Sequence, residues 1–269
     1  MSKMQETAME ALCRATEVLE KNTIERVTAY TSKYSKIKRG AVLSHIAALP
    51  EIRGLKAHFI DKDPKSLKQN FYVACKLHMA SLREAEPVYD PFSTYTPFLY
   101  GLLSDSPEIH DWLTHAALKD REYVKGPHFR WHQFQLVLRR DDEALRETIV
   151  QVAKKGGKHD KALSRAGQDF FSLLLKQDKD GLEALIEDQA KIKSVNELEG
   201  QFLAGFAVIH AKLCWIRGIE VQIQNPLVPM ALMPIEPLET YDVEYEFLRP
   251  GWEPPPPPGL LNKIRRLFL

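Results

Sequence analysis

Cysteine is scarce in this chain. Its three residues, Cys13, Cys75 and Cys214, are odd in number, far apart and each set in an apolar helical stretch. That pattern excludes a disulfide framework and reads as thiols packed in the core of a protein kept in a reducing compartment. Long apolar runs are missing as well. Nowhere do about 18 apolar residues follow one another without charge, the length a helix needs to cross a bilayer. The N-terminal stretch carries Glu6, Glu10, Glu17 and Glu20 where a signal peptide would be continuously apolar, so the expected location is the cytoplasm. An excess of one charge is absent too. With 37 Lys and Arg against 36 Asp and Glu the net charge is +1, which gives no field to steer the chain toward nucleic acid, and none is expected as a partner.

The local signatures of catalysis are equally sparse. There is no Gly-x-Ser-x-Gly elbow and no dinucleotide glycine pattern. Gly156-Gly157, flanked by Lys154, Lys155 and Lys158, lacks the Lys-Ser or Lys-Thr of a phosphate-binding loop and reads as a turn between helices. Two His-Asp dipeptides, His110-Asp111 and His159-Asp160, resemble the metal pair of helical phosphohydrolases. Both also fall near helix starts, where an acidic residue suits the helix dipole. His128 and His132 stand four apart, but Phe129 follows His128 where the zinc-protease motif places its glutamate. His78 and His210 sit on largely apolar helices and read as core histidines bonded to a carbonyl or carboxylate. Lys33, Lys36, Lys38 and Arg39, near Tyr30 and Tyr34, read as a solvated helix face. No catalytic residue, metal or cofactor is expected.

What the sequence does contain is helix. Ala8, Leu12, Ala15, Val18 and Leu19 recur at helical spacing and continue past Thr23 through Ile24, Val27 and Tyr30, predicting a long first helix. A second apolar stretch, 37–49, is expected to end at Pro50, with 55–63 as a connector to Pro64 in the first turn of the next helix. That helix runs to about Glu84 and is apolar around most of its circumference. Between Glu86 and Pro107, three prolines and several aromatic residues predict a structured connection and one short helix, the first candidate binding loop. Helices are then expected over 107–118, 128–138, 142–154, 158–175 and 181–192, and a buried closing helix over 201–216.

After Gly218, Pro226, Pro229, Pro234 and Pro237 punctuate an apolar segment that must lie against the helices or a partner. Pro254 to Pro258 form a polyproline spacer of about 15 Å. It leads to a basic-apolar terminus in which Leu260, Leu261, Ile264, Leu267 and Phe268 form a candidate self-association face. The expected organisation is a helical-array domain over 1–217, an extended apolar segment over 218–250 packed on it, and a spacer with a short terminal helix over 251–269.

A weak internal repeat organises the helices. Leu136-Val137-Leu138-Arg139-Arg140-Asp141-Asp142 matches Leu173-Leu174-Leu175-Lys176-Gln177-Asp178-Lys179, and Leu102-Leu103-Ser104-Asp105-Ser106-Pro107 is a fainter copy. Each is an apolar helix end, an acidic or hydroxyl-bearing turn that can accept from free helix N–H groups, and a restart. Corners about 35 residues apart imply stacked helical hairpins. The expected fold class is all-α, an irregular array of antiparallel helical hairpins with a Pro-rich extended C-terminal segment.

The stretch Asn70-Phe71-Tyr72-Val73-Ala74-Cys75-Lys76-Leu77-His78-Met79, the Leu102–Ser106 corner, and Pro234-Ile235-Glu236-Pro237-Leu238 leading to Tyr241 resemble the bacterial immunity protein 49 family over roughly residues 10 to 250. The resemblance implies a helical protein that neutralises a cognate toxin by direct binding. It carries over no catalytic or toxin-binding residues. Aromatic and arginine residues near loops and helix starts are the candidate partner-binding anchors: Tyr89, Phe92, Tyr95, Tyr123, Phe129, Arg130 and Trp131. The expected partner is a protein toxin, with a homodimer through the C-terminal segment as a further expectation. Two other readings stay open, a helical-repeat adaptor that binds a peptide or assembles a complex, and a metal-dependent phosphohydrolase built on the His-Asp pairs.

Overall fold

A computed structural model of the chain describes residues 3–32, 38–84, 90–192 and 198–253. Among these residues every regular element is a helix, and the fold is all-α. None of the described helices is long and apolar enough to cross a membrane. The first three helices are long: α1 (Lys3–Ser32), α2 (Arg39–Phe59) and α3 (Pro64–Arg83). α2 packs between the other two. The start of α3 is fixed by Asp63, whose carboxylate accepts from the N–H groups of Lys65 and Ser66 at 3.0 Å each, and by Pro64 in the first turn.

The second helix does not end at Pro50. It continues through the proline to Phe59, so the expected connector over 55–63 is helical for most of its length. An interior proline removes one helical hydrogen bond and costs about 3 kcal/mol. Ile46, Leu49 and Leu55, buried on either side of it, recover about 1.5–3 kcal/mol each. The helix also fits closely against α3: a Cβ on Gly54 would lie 2.4 Å from Cε1 of Phe71. Packing outweighs the local penalty.

Eight shorter helices follow: α4 (Thr96–Leu103), α5 (Pro107–His115), α6 (Pro127–Arg139), α7 (Asp142–Lys155), α8 (Lys158–Ala166), α9 (Phe170–Lys176), α10 (Lys179–Ala190) and α11 (Gly205–Ile216). The repeat is real at the level of its corners. Asp105, Arg140 and Gln177 adopt positive φ of 54°, 57° and 55°, and each precedes a capping residue. The side chains of Ser106, Asp141 and Asp178 accept from the N–H groups of Ile109, Ala144 and Gly181. The left-handed residue reverses the chain and the cap opens the next helix.

The helix expected over 158–175 is two helices. Gly167, at φ +64°, closes α8, and Asp169 opens α9 by accepting from the N–H groups of Phe171 and Ser172. α5 stops at His115 rather than at Leu118, because Gln135 on α6 donates to the freed carbonyls of Leu113 and Ala116 at 2.9 Å each.

The proline-punctuated segment lies against the helices. Over 219–224 it is extended, with Val221 and Ile223 buried and the N–H of Gln222 donating to Glu183 Oε1 at 2.7 Å on α10. Farther on it is held by buried charge. Lys212 on α11 is fully buried and donates to the carbonyls of Leu232, Met233 and Pro234 at 2.8, 3.2 and 3.0 Å. Its ammonium lies 2.6 Å from Asp105, whose other oxygen is 3.0 Å from Lys68 Nζ. Lys68 also donates to the carbonyl of Glu236. Opposite charges and backbone carbonyls together offset the loss of water around these groups. At the far end Trp252 stacks on Tyr30 of α1, ring centroids 5.6 Å apart. The expected self-association face, Leu260, Leu261, Ile264, Leu267 and Phe268, lies outside the described residues.

Candidate functional site

The short helices do not fill the space they enclose. Between the N-terminal turns of α6, α9 and α11 and the facing sides of α8 and α10 lies a cleft of about 660 Å³. Three helix starts converge on it, at Gly126–Pro127, Asp169–Phe170 and Ala204–Gly205. The approach of Tyr95 is permitted by Gly205, on which a Cβ would lie 2.4 Å from the tyrosine ring. The Tyr95 hydroxyl donates to buried Glu199 at 2.8 Å, and that of Tyr100 donates to the other carboxylate oxygen at 2.8 Å. Burial raises the carboxyl of Glu199 above the usual range despite these two donors.

The wall is aromatic. Phe206 lies 5.1 Å from Tyr95 and 5.8 Å from Trp131, nearly parallel to the latter at 14°. Arg130, at the exposed side, holds its guanidinium carbon 5.4 Å from the Phe206 ring centroid, a cation–π contact. Trp131 is fixed from behind, its indole N–H donating to the carbonyl of Phe92 at 2.8 Å. Gln133 ties α6 to α7 through Thr148 at 3.1 Å.

On the inner wall is His210, 5% exposed. Its ring lies flat on Phe170, centroids 3.8 Å apart and 9° from parallel, with Phe134 edge-on at 5.6 Å. Nδ1 is 2.6 Å from Oε1 of Gln189 on α10, within hydrogen-bonding distance. Burial, aided by the charge of Arg130, holds the imidazole well below the usual histidine range and therefore uncharged near neutrality. Among the described residues its Nε2 has no hydrogen-bond partner.

The acidic groups of the lining already have roles. Asp169 caps α9, and Asp160 faces Arg130 at 3.9 Å. Lys125 and Arg130 stand on the exposed rim.

Of the residues expected to anchor a partner, Tyr95, Phe129, Arg130 and Trp131 line this one cleft. Tyr123 stands in the adjoining turn at 61% exposure. Phe92 is fully buried against Phe98 and Trp112. It is a core residue that offers no surface, because its aromatic loop folds inward to cap the core. Tyr89 lies outside the described residues. The reasoning from sequence missed Phe170, Gln189, Phe206 and His210. Each sits in an ordinary-looking apolar or amphipathic helix, and only the tertiary fold brings them together.

Three of the histidines singled out elsewhere, His78, His110 and His128, have structural partners. His110 lies 3.4 Å from the carbonyl of Leu102 and is held low by burial, while Asp111 faces His115 at 3.2 Å. His128 faces Asp90 at 3.2 Å, and His78 faces Glu51 at 2.9 Å. Among the described residues no group of three or more His, Cys, Asp or Glu is placed to hold a metal ion. Cys75 and Cys214 are buried, which pushes both thiols up, and Cys13 is half-buried on α1. No family model, curated protein or solved structure matches the chain.

Proposed function

We propose that this chain is an immunity protein that neutralises a cognate protein toxin by direct binding, using the rim of the aromatic cleft and the Tyr123 turn as its contact surface. The observation that carries the reading is the convergence of exposed Arg130 and half-buried Tyr95 on one cleft whose inner wall is formed by buried Phe129 and Trp131, with Tyr123 exposed beside it. Aromatic and arginine side chains supply most of the binding energy at protein interfaces, above all around a preformed pocket.

The chemistry of the lining favours recognition over turnover. Among the described residues lining the cleft there is no Ser, Thr or Cys, and the partner of His210 is the neutral amide of Gln189 rather than a carboxylate. The resemblance of the Asn70–Met79 helix, the Leu102–Ser106 corner and the Pro234–Tyr241 segment to the immunity protein 49 family points the same way. Neutralisation then follows from occlusion, the toxin's active site or substrate path being covered by a rigid helical body.

The test is affinity capture of the tagged chain from its native host, followed by expression of the captured product of an adjacent gene in cells lacking this chain. One captured neighbour that arrests growth alone and is silenced by this chain is the expected result. Capture of many unrelated proteins with no toxic neighbour would replace this reading with that of an adaptor.

A further inference from the structure

A second, open groove runs along the first half of α1, beside the residue that closes α2. Met9 and Cys13 on α1 and Ile60 at the end of α2, all half-buried, form its apolar floor, and Glu6 and Glu10 stand exposed along it. Arg14, the basic side chain at its edge, is 67% exposed and lies 3.9 Å from Glu10, which is 62% exposed. An exposed pair of this kind contributes little, so both carboxylates stay available to a partner. The groove therefore suits a segment that is apolar on one face and cationic beside it.

The chain contains such a segment beyond the described residues. In 259–269, Leu260, Leu261, Ile264, Leu267 and Phe268 recur at the spacing of one helical stripe, accompanied by Lys263, Arg265 and Arg266 and by no acidic residue. The path of the chain before it decides which copy it meets. Arg53 joins Glu244 to Glu20 midway along α1, and by Phe247 and Trp252 the chain has advanced to Tyr30, with ring centroids 4.9 and 5.6 Å from the tyrosine. Tyr30 stands about 25 Å beyond Cys13 at about 1.5 Å per residue. The chain thus leaves α1 at the end opposite the groove, and five prolines, a stiff spacer of about 15 Å, do not fold it back. A two-fold pairing with the α1 helices antiparallel sets the Tyr30 end of each copy beside the groove of the other, and both contacts form at once.

We propose that the α1 groove receives residues 259–269 of a second copy of this chain, the apolar stripe on Met9, Cys13 and Ile60 and the basic residues toward Glu6 and Glu10. The site goes beyond the neutralising role and does not depend on it.

The full chain is weighed by light scattering over a concentration series, with circular dichroism to check that each variant folds. Glu6→Lys with Glu10→Lys weakens self-association at least tenfold, and so does Lys263→Glu with Arg265→Glu and Arg266→Glu. Combining the two sets restores it, because opposed charges couple across an interface. Cys13 supplies a second readout, since it is the half-buried thiol while Cys75 and Cys214 are buried. A chain carrying Ile264→Cys and Cys13→Ala is mixed with the natural chain and treated with a short thiol-to-thiol cross-linker. A product of two chains, more abundant than with either chain alone, is expected. A monomer at every concentration, a mass unmoved by the reversed groove, or no recovery in the combined variant would each overturn the proposal. So would Ile264→Cys, with Cys13 retained, cross-linking only within one chain, which would place the segment on its own body. A monomer that binds anionic lipid vesicles through 259–269 would assign the segment to a membrane surface instead and would equally overturn it.

Discussion

Lys212 and Asp105 place opposite charges where neither side chain is exposed, 2.6 Å apart, and the proline-punctuated segment depends on them. Burial pulls the Lys212 ammonium down, and Asp105 acts against that shift. Truncation as Lys212→Ala strands the carboxylate of Asp105 and three backbone carbonyls together. The expected loss is about 3–5 kcal/mol in urea denaturation, and a loss below about 1 kcal/mol would show that the segment is held by its apolar residues instead. His210 gives a second prediction at this scale. Its folded pKa is lowered by burial from the ordinary 6.5, so above that pH neither folded nor unfolded chain is charged there. Below it the unfolded chain takes up a proton that the folded chain refuses, and stability falls with pH by at most about 1.4 kcal/mol per unit for this group. His58, His110 and His132, also lowered by burial, act in the same direction. Glu199, raised by burial, acts oppositely above its ordinary 4.5. Denaturation midpoints between about pH 7.5 and 5.5 should fall for the natural chain and fall less for His210→Gln. Parallel curves would contradict the assignment of His210 as the buried neutral group.

The helix corners show how much of an element can be read locally. Ser106, Asp141 and Asp178 were legible as caps because capping needs only one side chain and the next few N–H groups. Asp141→Ala and Asp178→Ala should each cost about 1 kcal/mol, and their double variant should cost close to the sum. A double variant no less stable than either single would mean that the two corners are not independent. Pro50 was misread for the opposite reason. Its penalty is local and its compensation is not, since Ile46, Leu49 and Leu55 meet partners far along the chain. The close crossing of α2 and α3 belongs to the same tertiary effect, and Gly54→Ala, with its Cβ 2.4 Å from the Phe71 ring, should destabilise by about 1–3 kcal/mol through overpacking. The break at Gly167 fell between these cases, because a lone glycine in an apolar-periodic stretch is compatible with a continuous helix until Asp169 is seen to cap a new one.

For the whole molecule, the all-α architecture followed from periodicity and punctuation, whereas the cleft was only half legible. Tyr95, Phe129, Arg130 and Trp131 stood out as aromatic and basic residues near loops. Phe170, Gln189, Phe206 and His210 come from three other helices, and no spacing in the sequence relates them. His210 was read as a core histidine with a carbonyl or carboxylate partner; it is buried, but its partner is an amide and its second nitrogen has no hydrogen-bond partner among the described residues. We propose that the terminal residues 259–269 serve self-association rather than folding. Their deletion should leave the melting temperature nearly unchanged and lower the mass seen by light scattering, and an unchanged mass would remove the dimer role.

The central claim is that the cleft rim neutralises a toxin, and growth rescue with rim variants tests it most directly. The toxic product of an adjacent gene is expressed with the natural chain, with a Tyr123→Ala, Arg130→Ala double variant, and with Arg14→Ala on the exposed face of α1. The natural chain and the α1 variant restore growth, and the rim variant, folded by circular dichroism, does not. Full rescue by the rim variant would contradict the account.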